Sequence, residues 1–563
     1  MRGWWGLVLV GCAGGGDGTK PDATTDTDDP QTTELPTGST PTTTPEACTT
    51  SVSLAAAPGS TTLEARLTVT LDAPNRVWVL CTSPDDPLEQ HLLEGEGPAL
   101  QHELLLRGVL PETSYSCEAH VPCGDVSDSA SFASGALDPA LPALTVSLAP
   151  GEALTGAYTL FNDADGCGGG ASNWVAMADP EGRIRWAYPV GDDLVADVDV
   201  YLMGPDRVHI GGGWGLFSFG QGNRGVFRDI DLSGQVLLER ETPDVGLGFN
   251  HHSEPMADGS YLSITGDRDG SGNDEWNGVG IELWHPDDGV RWSWTSQGLV
   301  DDGYITQPSP FDPLPYHANA VSLVTDALGD AAWISDFGYE ELWRIDRATG
   351  ALTHVFGHGG DFELVDTAGQ PLPDSEYPYV QHGPDYVDDR VLLYDNGQGR
   401  PGGSYSRVAE YELDLTANVA TLLWSWTEPG FDYPILGDAD YLDAGRVLVA
   451  KGANRCLDPF GTGASEVLEL QPEGGSARVI WRMTWPDRSH AIYRAQRYGG
   501  CDVFANARYC PTVAARIAEL RRLTQRATVH ASAGAAASCQ STSVRAPNSS
   551  RATQTWPTEV ACT

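Results

Sequence analysis

Two short motifs each occur six times between residues 144 and 511, and this repetition is the strongest constraint on how the chain can fold. In the first motif, a turn rich in Asp and Gly separates two apolar runs, and the second run contains tryptophan in most copies. Such turns are typical of β-hairpins. The copies begin at Ala178, Ile230, Leu283, Ile345, Leu413 and Leu470. The motif predicts six hairpins, with tryptophans packed between neighbouring sheets.

The second motif is a histidine or an aspartate near the start of a predicted strand. Its copies are Asp199, His251, His317, His382, Asp438 and His490, separated by 52, 66, 65, 56 and 52 residues. A unit of this length fits a four-stranded sheet, and both motifs count six units. We therefore predict an all-β fold in which residues 144–511 form a six-bladed β-propeller. Because the first strand of each blade lies nearest the axis, these six residues should surround the central channel.

Residues 48–138 carry a different pattern, in which apolar and polar positions alternate over short runs. This alternation predicts a small β-sandwich in front of the propeller. The segment 110–115 resembles the corner of fibronectin type III domains, in which a tyrosine hydroxyl, here that of Tyr115, ties down a loop. The sandwich is thus predicted to be fibronectin type III-like.

Cysteines and composition predict two further features. Cys48, Cys81, Cys117 and Cys123 lie in the sandwich region, and in an exported protein they predict two disulfides there. After residue 511 the composition shifts to Ala, Ser, Thr and Arg, so 512–563 is predicted to be a low-complexity tail. Within that tail, 513–523 is long enough to form a short helix.

The first twelve residues combine an early arginine, a short apolar run and Gly11-Cys12, and they resemble a bacterial lipoprotein signal peptide. Cys12 would then carry the lipid; the alternative is a secretory signal with an incidental cysteine. Residues 13–47 are rich in Gly, Thr, Asp and Pro and predict a disordered tether. The residue directly after Cys12 is Ala13, whereas an aspartate at that position would favour retention in the inner membrane. We therefore expect an exported protein, held at the bacterial outer membrane by lipid alone and facing the periplasm or the cell surface.

The formal net charge of −45 excludes two classes of partner. Nucleic-acid binding needs a basic surface, and attraction to anionic lipid needs a polybasic segment. The chain has only two lysines, Lys20 and Lys451. The oligomeric state cannot be inferred from the sequence.

Four of the six predicted channel residues are histidines, which leaves three interpretations open. Imidazoles can hold zinc or copper. An imidazole can also act as a nucleophile that transfers an anionic group, with nearby cations stabilising that group. The third interpretation is that these histidines are hydrogen-bonded structural residues of the channel.

A separate signal occurs in the segment 267–275, where oxygen donors alternate with glycines. In this arrangement, candidate ligands of Ca²⁺ are Asp267, Asp269 and Ser271. The alternative is an ordinary acidic turn, because Gly278 stands where an EF-hand loop has its closing glutamate.

The residues around His382 resemble one known family. Gln381-His382, followed by Tyr-Asp-Asn-Gly-Gln-Gly-Arg at 394–400, is similar to the Gln-His-Asp … Phe-Asp-Asn-Gly-Asp-Gly-Arg signature of bacterial arylsulfate sulfotransferases. The segments 317–321 and 250–252 resemble two further histidine motifs of that family, and the whole resemblance covers roughly 150–500. It implies a six-bladed propeller that moves a sulfuryl group from a phenolic sulfate ester to another phenol through a sulfated histidine. No cofactor is required for this reaction.

Carried over by position, the resemblance implies that His382 is the nucleophile. It also implies that His251 and His317 hold the sulfuryl oxygens and serve the leaving phenol, and that Asn319 orients His317. His252 takes the place of His251 if the first motif is shifted by one residue. Candidates for substrate binding are Asn319, His490, His252 and Arg400, and candidates for stacking a phenol are Tyr316, Trp214 and Trp276.

Two positions depart from the family pattern. Phe337 stands where the family has an arginine that contacts the sulfuryl group, and Gly383 replaces the aspartate after Gln-His. A fixed cation contributes strongly to stabilising a transferred anionic group. Either Arg268 or Arg400 substitutes for that cation, or the protein uses a different substrate, or it has lost the activity. Three functions therefore remain open: a sulfotransferase, a non-catalytic surface propeller that binds a ligand or a protein, and a histidine-bound metal site.

Overall fold

The computed structural model describes residues 51–122, 127–165, 173–190, 198–212, 226–241, 249–267, 278–304, 317–452, 463–486 and 489–523. Several predictions concern residues outside these ranges, namely the signal, Cys12, the tether, and most of the tail. The same holds for Cys48, Cys123, Arg268, Asp269, Ser271, Trp214, Trp276, Tyr316 and the side chain of Asp267. Of the helices in the described ranges, none has the length and apolar character needed to cross a membrane.

Seven strands at the N-terminal end form two antiparallel sheets. One has the order β1 (Val52–Pro58), β2 (Glu64–Asn75) and β5 (Ala99–Arg107). The other has the order β4 (Gln90–Glu94), β3 (Trp78–Thr82), β6 (Ser114–His120) and β7 (Ser127–Ala133). Alternate residues of β2 point into one shared core, as the period of two predicts.

Two contacts in this region match expectations from the sequence. The hydroxyl of Tyr115 is buried and accepts a hydrogen bond from the backbone N–H of Leu110 at 2.9 Å. Cys81 on β3 and Cys117 on β6 are paired residues and form a disulfide. One of the two predicted bridges is therefore confirmed, and the fibronectin type III-like character of the region stays a prediction.

Six further sheets, numbered 1 to 6, follow along the chain. Sheet 1 contains β9 (Tyr158–Asp165), β10 (Trp174–Ala178) and β11 (Ile184–Pro189). Sheet 2 contains β12 (Val198–Gly204), β13 (Arg207–Gly212), β14 (Val226–Ile230) and β15 (Val236–Glu241). Sheet 3 contains β16 (Phe249–Pro255), β17 (Tyr261–Asp267), β18 (Gly278–His285) and β19 (Gly289–Thr295), and α1 (Gln297–Asp301) follows it.

Sheets 4 to 6 repeat this pattern. Sheet 4 contains β20 (Ala318–Asp326), β21 (Gly329–Asp336), β22 (Glu341–Asp346) and β23 (Leu352–Gly357). Sheet 5 contains β25 (His382–Val387), β26 (Arg390–Asp395), β27 (Arg407–Asp414) and β28 (Val419–Trp426), with β24 (Glu363–Val365) added in parallel at its outer edge. Sheet 6 contains β29 (Asp438–Leu442), β30 (Arg446–Lys451), β31 (Glu466–Glu473) and β32 (Ser476–Thr484). Short 3₁₀ turns lie at Asp374–Glu376 and Asp443–Gly445.

The two ends of this region are exchanged between the first and the last sheet. The early strand β8 (Thr145–Leu148) pairs with β32 at the outer edge of sheet 6. The late strands β33 (His490–Ala491) and β34 (Ala495–Tyr498) pair with β9 and become the first strand of sheet 1. Sheets 1 and 6 are therefore tied to segments from opposite ends of the region. All four side chains of β8 are exposed, so burial of side chains does not account for its pairing with β32.

The first strands of the six sheets also contact one another in order. Contacts run from β34 to β12, β16, β20, β25 and β29, and β29 contacts β34 again. Five of the six motif residues lie within two residues of the start of β12, β16, β20, β25 or β29, and the sixth, His490, begins β33, just before β34. The predicted all-β class is confirmed, and the interpretation of the six sheets as propeller blades stays a prediction.

Tryptophans on the outer strands connect neighbouring sheets. The indole N–H of Trp186 in sheet 1 donates to the Leu232 carbonyl in the turn of sheet 2 at 2.8 Å. Trp294 in sheet 3 donates to the Gly350 carbonyl of sheet 4 at 3.0 Å. Trp481 in sheet 6 donates to a carbonyl in the turn of sheet 1, at 3.1 Å. The predicted packing of tryptophans between sheets is confirmed at these positions, and it includes the contact between the last sheet and the first.

A helix, α2, spans 511–523 and agrees with the short helix expected at 513–523. The disulfide between Cys501 and Cys510 lies just before it. Its Ile517 and Leu520 pack against Trp78 and Leu92 of the N-terminal sheets. The start of the predicted tail is therefore an ordered helix that docks on the sandwich, because it has apolar side chains on one face.

Candidate active site

Three first strands lose their regular pairing where they carry the predicted site residues. The register of β16 shifts between Phe249 and Ser253, which brackets His251. The register of β20 shifts at Asn319, and that of β25 shifts just after His382. A bulge redirects side chains away from the normal alternation. His251 also has a φ of +55°, a strained value for a residue that is not glycine and one that often marks a functional position.

These irregularities bring His251 and His317 into direct contact. Their Nε2 atoms lie 2.8 Å apart. One of the two nitrogens must carry a hydrogen and donate it, and the other must accept the hydrogen bond with its lone pair. Burial lowers the pKa of His251 well below its ordinary value, and the positive charges that His317, His382 and Arg494 can carry lower it further. The shared hydrogen bond lets a proton pass from one ring to the other, and the low pKa of His251 favours its release.

His382 is held by the amide of Asn396. The Asn396 nitrogen donates to the carbonyls of Tyr433 at 2.7 Å and Leu436 at 2.9 Å, which fixes the orientation of the amide. Its Oδ1 lies 2.7 Å from Nδ1 of His382 and must accept a hydrogen bond from the Nδ1–H. The lone pair of His382 is therefore on Nε2. Burial lowers the pKa of His382 to about 3, so the ring is neutral near neutral pH.

Phe337 lies between the two groups of histidines. Its ring centroid is 5.0 Å from that of His317 and 5.5 Å from that of His382. Its backbone N–H also donates to the His317 carbonyl at 2.8 Å. The position that the family resemblance gives to an arginine is thus beside the histidines, and here it supplies an apolar wall.

A charged residue that acts on these histidines is Arg494, which the sequence analysis missed. Its Nε lies 3.0 Å from Asp199 of sheet 2, its Nη1 bonds Asp438 of sheet 6, and its Nη2 donates to the Asn319 carbonyl of sheet 4 at 3.2 Å. Burial acts to lower the pKa of Arg494, but these carboxylates raise it well above its ordinary value. A charged residue within the apolar run that follows His490 is the sequence signal that could have identified it.

Asn319 and His252 make different contacts from those expected. The resemblance gives Asn319 the task of orienting His317, whereas its amide donates to the Gln381 carbonyl at 2.7 Å. Asn319 is fully buried and positions the strand that carries the nucleophile candidate, and substrate binding by Asn319 and His252 stays a prediction. The Nδ1 of His252 lies 3.3 Å from Asp199, whereas His251 is the residue that contacts His317.

His490 and Arg400 are bound to carboxylates of their own. The Nδ1 of His490 lies 3.0 Å from Asp163. The guanidinium of Arg400 pairs with Asp395 and lies over the Tyr379 ring, with 5.1 Å between the guanidinium carbon and the ring centroid. Substrate binding by these two residues stays a prediction.

A serine, a histidine and an aspartate form a second polar cluster. The Nδ1 of His209 lies 2.7 Å from Asp229, and its Nε2 lies 3.1 Å from the hydroxyl of Ser253. All three are buried, with no more than 1 % of any of them exposed. Since no substrate can reach them, we assign this cluster a structural role between sheets 2 and 3.

Two other features lie outside the histidine cluster. A groove of about 740 Å³ between sheets 4 and 5 is lined by Trp333, Tyr386 and the nearby hairpin turns, and none of the candidate histidines lines it. Over the described ranges, no cluster of three or more His, Cys, Asp or Glu side chains is arranged to hold a metal ion.

Acidification should destabilise the wild-type fold more than the His382→Gln variant. In the unfolded chain the His382 pKa returns to its ordinary value of 6.5, whereas in the fold it is about 3. Above pH 6.5 the ring is neutral in both states. As the pH falls, only the unfolded chain binds the proton, so the free energy of unfolding decreases until the pH reaches about 3. Denaturant titrations at several pH values check this. An equal difference between the two proteins at neutral and acid pH would contradict the assignment.

The chain matches the model of one protein family and resembles solved structures only weakly. The model of a family described as arylsulfotransferase (ASST) matches residues 169–494, which is more than half of the chain. No curated protein sequence matches. Among solved structures, the periplasmic gluconolactonase PpgL of Pseudomonas aeruginosa is 12 % identical, with a TM-score of 0.32, over 60 % of this chain and 98 % of its own. Hsv2 of Kluyveromyces lactis is 9 % identical, with a TM-score of 0.27, over 65 % of this chain and 94 % of its own. These scores are too low to bear on the function.

Proposed function

The chain belongs to the arylsulfotransferase family, and from this premise we propose that it is an enzyme that transfers a sulfuryl group through a sulfated His382. At the level of the family, the activity is sulfuryl transfer between phenolic compounds, with a phenolic sulfate as donor, a phenol as acceptor and no cofactor. The observation that carries the proposal is the state of His382, a neutral imidazole whose Nε2 lone pair is fixed by Asn396.

The first half-reaction begins with attack of the His382 Nε2 lone pair on the sulfur of the donor ester. The bond between sulfur and the phenolic oxygen breaks, and its electron pair leaves with that oxygen. The leaving phenolate takes a proton from the His251–His317 pair, in the form of the pair that carries one imidazolium. The products are a free phenol and an imidazolium N-sulfonate on His382, whose Nδ1–H remains bonded to Asn396.

The second half-reaction reverses these steps with another phenol. The acceptor oxygen attacks the sulfur while the neutral His251–His317 pair takes the phenolic proton. The nitrogen–sulfur bond breaks, and its electrons return to Nε2 of His382. The pair regains its imidazolium, so each turnover leaves the protein unchanged.

The fold around the site and the location of the protein are also part of this proposal. We interpret the six sheets as six propeller blades, supported by the cyclic order of contacts among their first strands. The N-terminal sheets are proposed to be fibronectin type III-like, supported by the buried Tyr115 corner. Export and lipidation at Cys12 are proposed from the sequence alone, which would place the enzyme at the outer membrane.

A non-catalytic ligand-binding role is the second candidate, and Phe337 favours it because it removes the arginine expected beside the histidines. A chromogenic aryl sulfate with a phenol acceptor separates the two functions. The proposal requires release of the chromogenic phenol and formation of the sulfated acceptor. Without acceptor, mass spectrometry should find one sulfuryl group per chain, on the peptide that contains His382. A protein that binds aryl sulfates yet gives neither product nor adduct would be the binding protein of the second candidate.

A further inference from the structure

We propose that Arg494 is a catalytic residue that donates hydrogen bonds and positive charge to the transferred sulfuryl group, in place of an arginine at position 337. This inference rests on the proposed function and assigns the cation that the transfer requires. Three observations support it: the donors of Arg494 that no described group accepts, its electrostatic effect on His382, and the glycine that makes room for it.

The guanidinium of Arg494 has donors to spare. A guanidinium carries five N–H bonds. Asp199, Asp438 and the Asn319 carbonyl accept three of them, which leaves two N–H bonds that no described group of the protein accepts. Contacts to three sheets also fix the orientation of the side chain, so its remaining donors are preorganised. Donors held in this way stabilise developing negative charge without first having to reorganise.

Arg494 also lies close to the nucleophile. Its positive charge contributes to the low pKa values of both His251 and His382, after the larger effect of burial. The guanidinium lies over the ring of Tyr493, 4.6 Å from its centroid, and that ring is 6.3 Å from the ring of His382. The charge of Arg494 therefore reaches the ring of His382, and the ring of Tyr493 contacts both residues.

Gly383 accounts for how the arginine reaches this place. A Cβ atom on Gly383 would lie 2.1 Å from Oδ1 of Asp438 and 2.7 Å from Nη1 of Arg494. Its φ of +49° adds a second restriction on larger residues. An aspartate directly after His382, as in the family signature, would thus displace the ion pair between Arg494 and Asp438. The departures at Phe337 and Gly383 are explained together if the cation comes from Arg494.

The chemical role follows from the charge on the transferred group. While the bond to the donor oxygen breaks and the bond to Nε2 of His382 forms, the three remaining sulfuryl oxygens share negative charge. The two N–H bonds of Arg494 that no described group accepts would donate to these oxygens in both half-reactions. Arg494 keeps its own protons throughout, because a guanidinium does not titrate near neutral pH.

The test compares Arg494→Gln with wild-type protein in two measurements. With an aryl sulfate donor, kcat should fall by about 10²- to 10³-fold. By calorimetry, the Kd of an aryl sulfonate, which cannot transfer its group, should rise by about 10- to 100-fold, the loss expected for a hydrogen bond to a charged group. The Kd of the neutral phenol should stay within about twofold of wild type, since a phenol presents no sulfuryl oxygens. A merely structural role would weaken both ligands alike and would overturn the proposal.

Two further variants keep the result interpretable. Gly383→Ala should weaken sulfonate binding by displacing Arg494 while leaving the arginine in the chain. Arg344→Gln is the matched control: it also removes a buried arginine that is paired with an aspartate, Asp326, but on β22, the third strand of sheet 4. Its sulfonate affinity should equal that of wild type.

The behaviour of the wild-type protein separates this inference from the proposed function. If wild-type protein binds the sulfonate through Arg494 but transfers nothing, the anion site is supported and the transferase function fails. If wild-type protein is active and Arg494→Gln retains its kcat and sulfonate affinity, only the present inference fails. If wild-type protein neither binds nor transfers, both fail.

Discussion

Replacement of His382 by alanine is expected to lower the turnover of an aryl sulfate by about 10⁴-fold or more, the loss usual when a covalent nucleophile is removed. The neighbouring histidines cannot take over, because His251 and His317 are bonded to each other through the nitrogens that meet in the centre. The measurement is steady-state release of a chromogenic phenol, together with the mass of the protein after mixing with donor alone. The variant should accumulate no sulfuryl adduct.

The control for this change is His354→Ala. His354 lies on the outer strand β23 and bonds the Leu415 carbonyl at 3.0 Å, away from the central cluster. Turnover by this variant should stay close to that of wild type. If His382→Ala retained the adduct, the sulfated residue would have to be another side chain, and His251 or His317 would be the next to test.

Replacement of Asn396 by leucine should lower kcat by about 10²- to 10⁴-fold, because a histidine that has lost the group fixing its tautomer is a much weaker catalyst. In the wild-type fold the Asn396 oxygen accepts the Nδ1–H of His382 and leaves the lone pair on Nε2. Leucine of similar size accepts nothing, so the proton can move to Nε2 and block attack. The adduct should form slowly, while the Kd of the aryl sulfonate should change little.

Asn396→Asp separates loss of the tautomer from loss of structure. The carboxylate still accepts the Nδ1–H, so this variant should be more active than Asn396→Leu at neutral pH. Both variants lose the bonds to the Tyr433 and Leu436 carbonyls, so both should lose stability. A carboxylate beside the ring stabilises its charged form and raises the His382 pKa. The activity of Asn396→Asp should therefore fall on acidification at a higher pH than that of wild type. Equal activity of the two variants would show that Asn396 acts only through packing.

The histidines could be predicted because each stands at the same place in a repeated unit. Their spacing alone predicts that His251, His317 and His382 lie on neighbouring first strands, and the structure places them in one cluster. Phe337 was placed beside them by position in the family motif, and its ring contacts agree. Repetition is a strong signal here, since equivalent positions in repeated sheets face the same axis.

Arg494 could not be found by the same argument. The repeat assigns His490 to the central position, but the strand that begins there is interrupted between β33 and β34. Tyr493 and Arg494 lie in this interruption, and both donate to the Asn319 carbonyl of sheet 4. His490, by contrast, bonds Asp163 of sheet 1. Asn396 lay within the recognised motif, yet its role depends on which groups accept its own N–H bonds, and these come from distant loops. Long-range contacts of this kind leave no periodic signal in the sequence.

The exchange of strands between sheets 1 and 6 has a consequence for the order of events during synthesis. Thr145 pairs with Thr484, and Tyr158 pairs with Tyr498, so both pairings must wait until nearly the whole region has left the ribosome. Pairings between such distant residues are slow to form. The chain segment that closes sheet 1 also delivers Arg494. A growing chain would therefore carry its histidines for most of its synthesis without their guanidinium, and catalytic competence would arise only with the final closure.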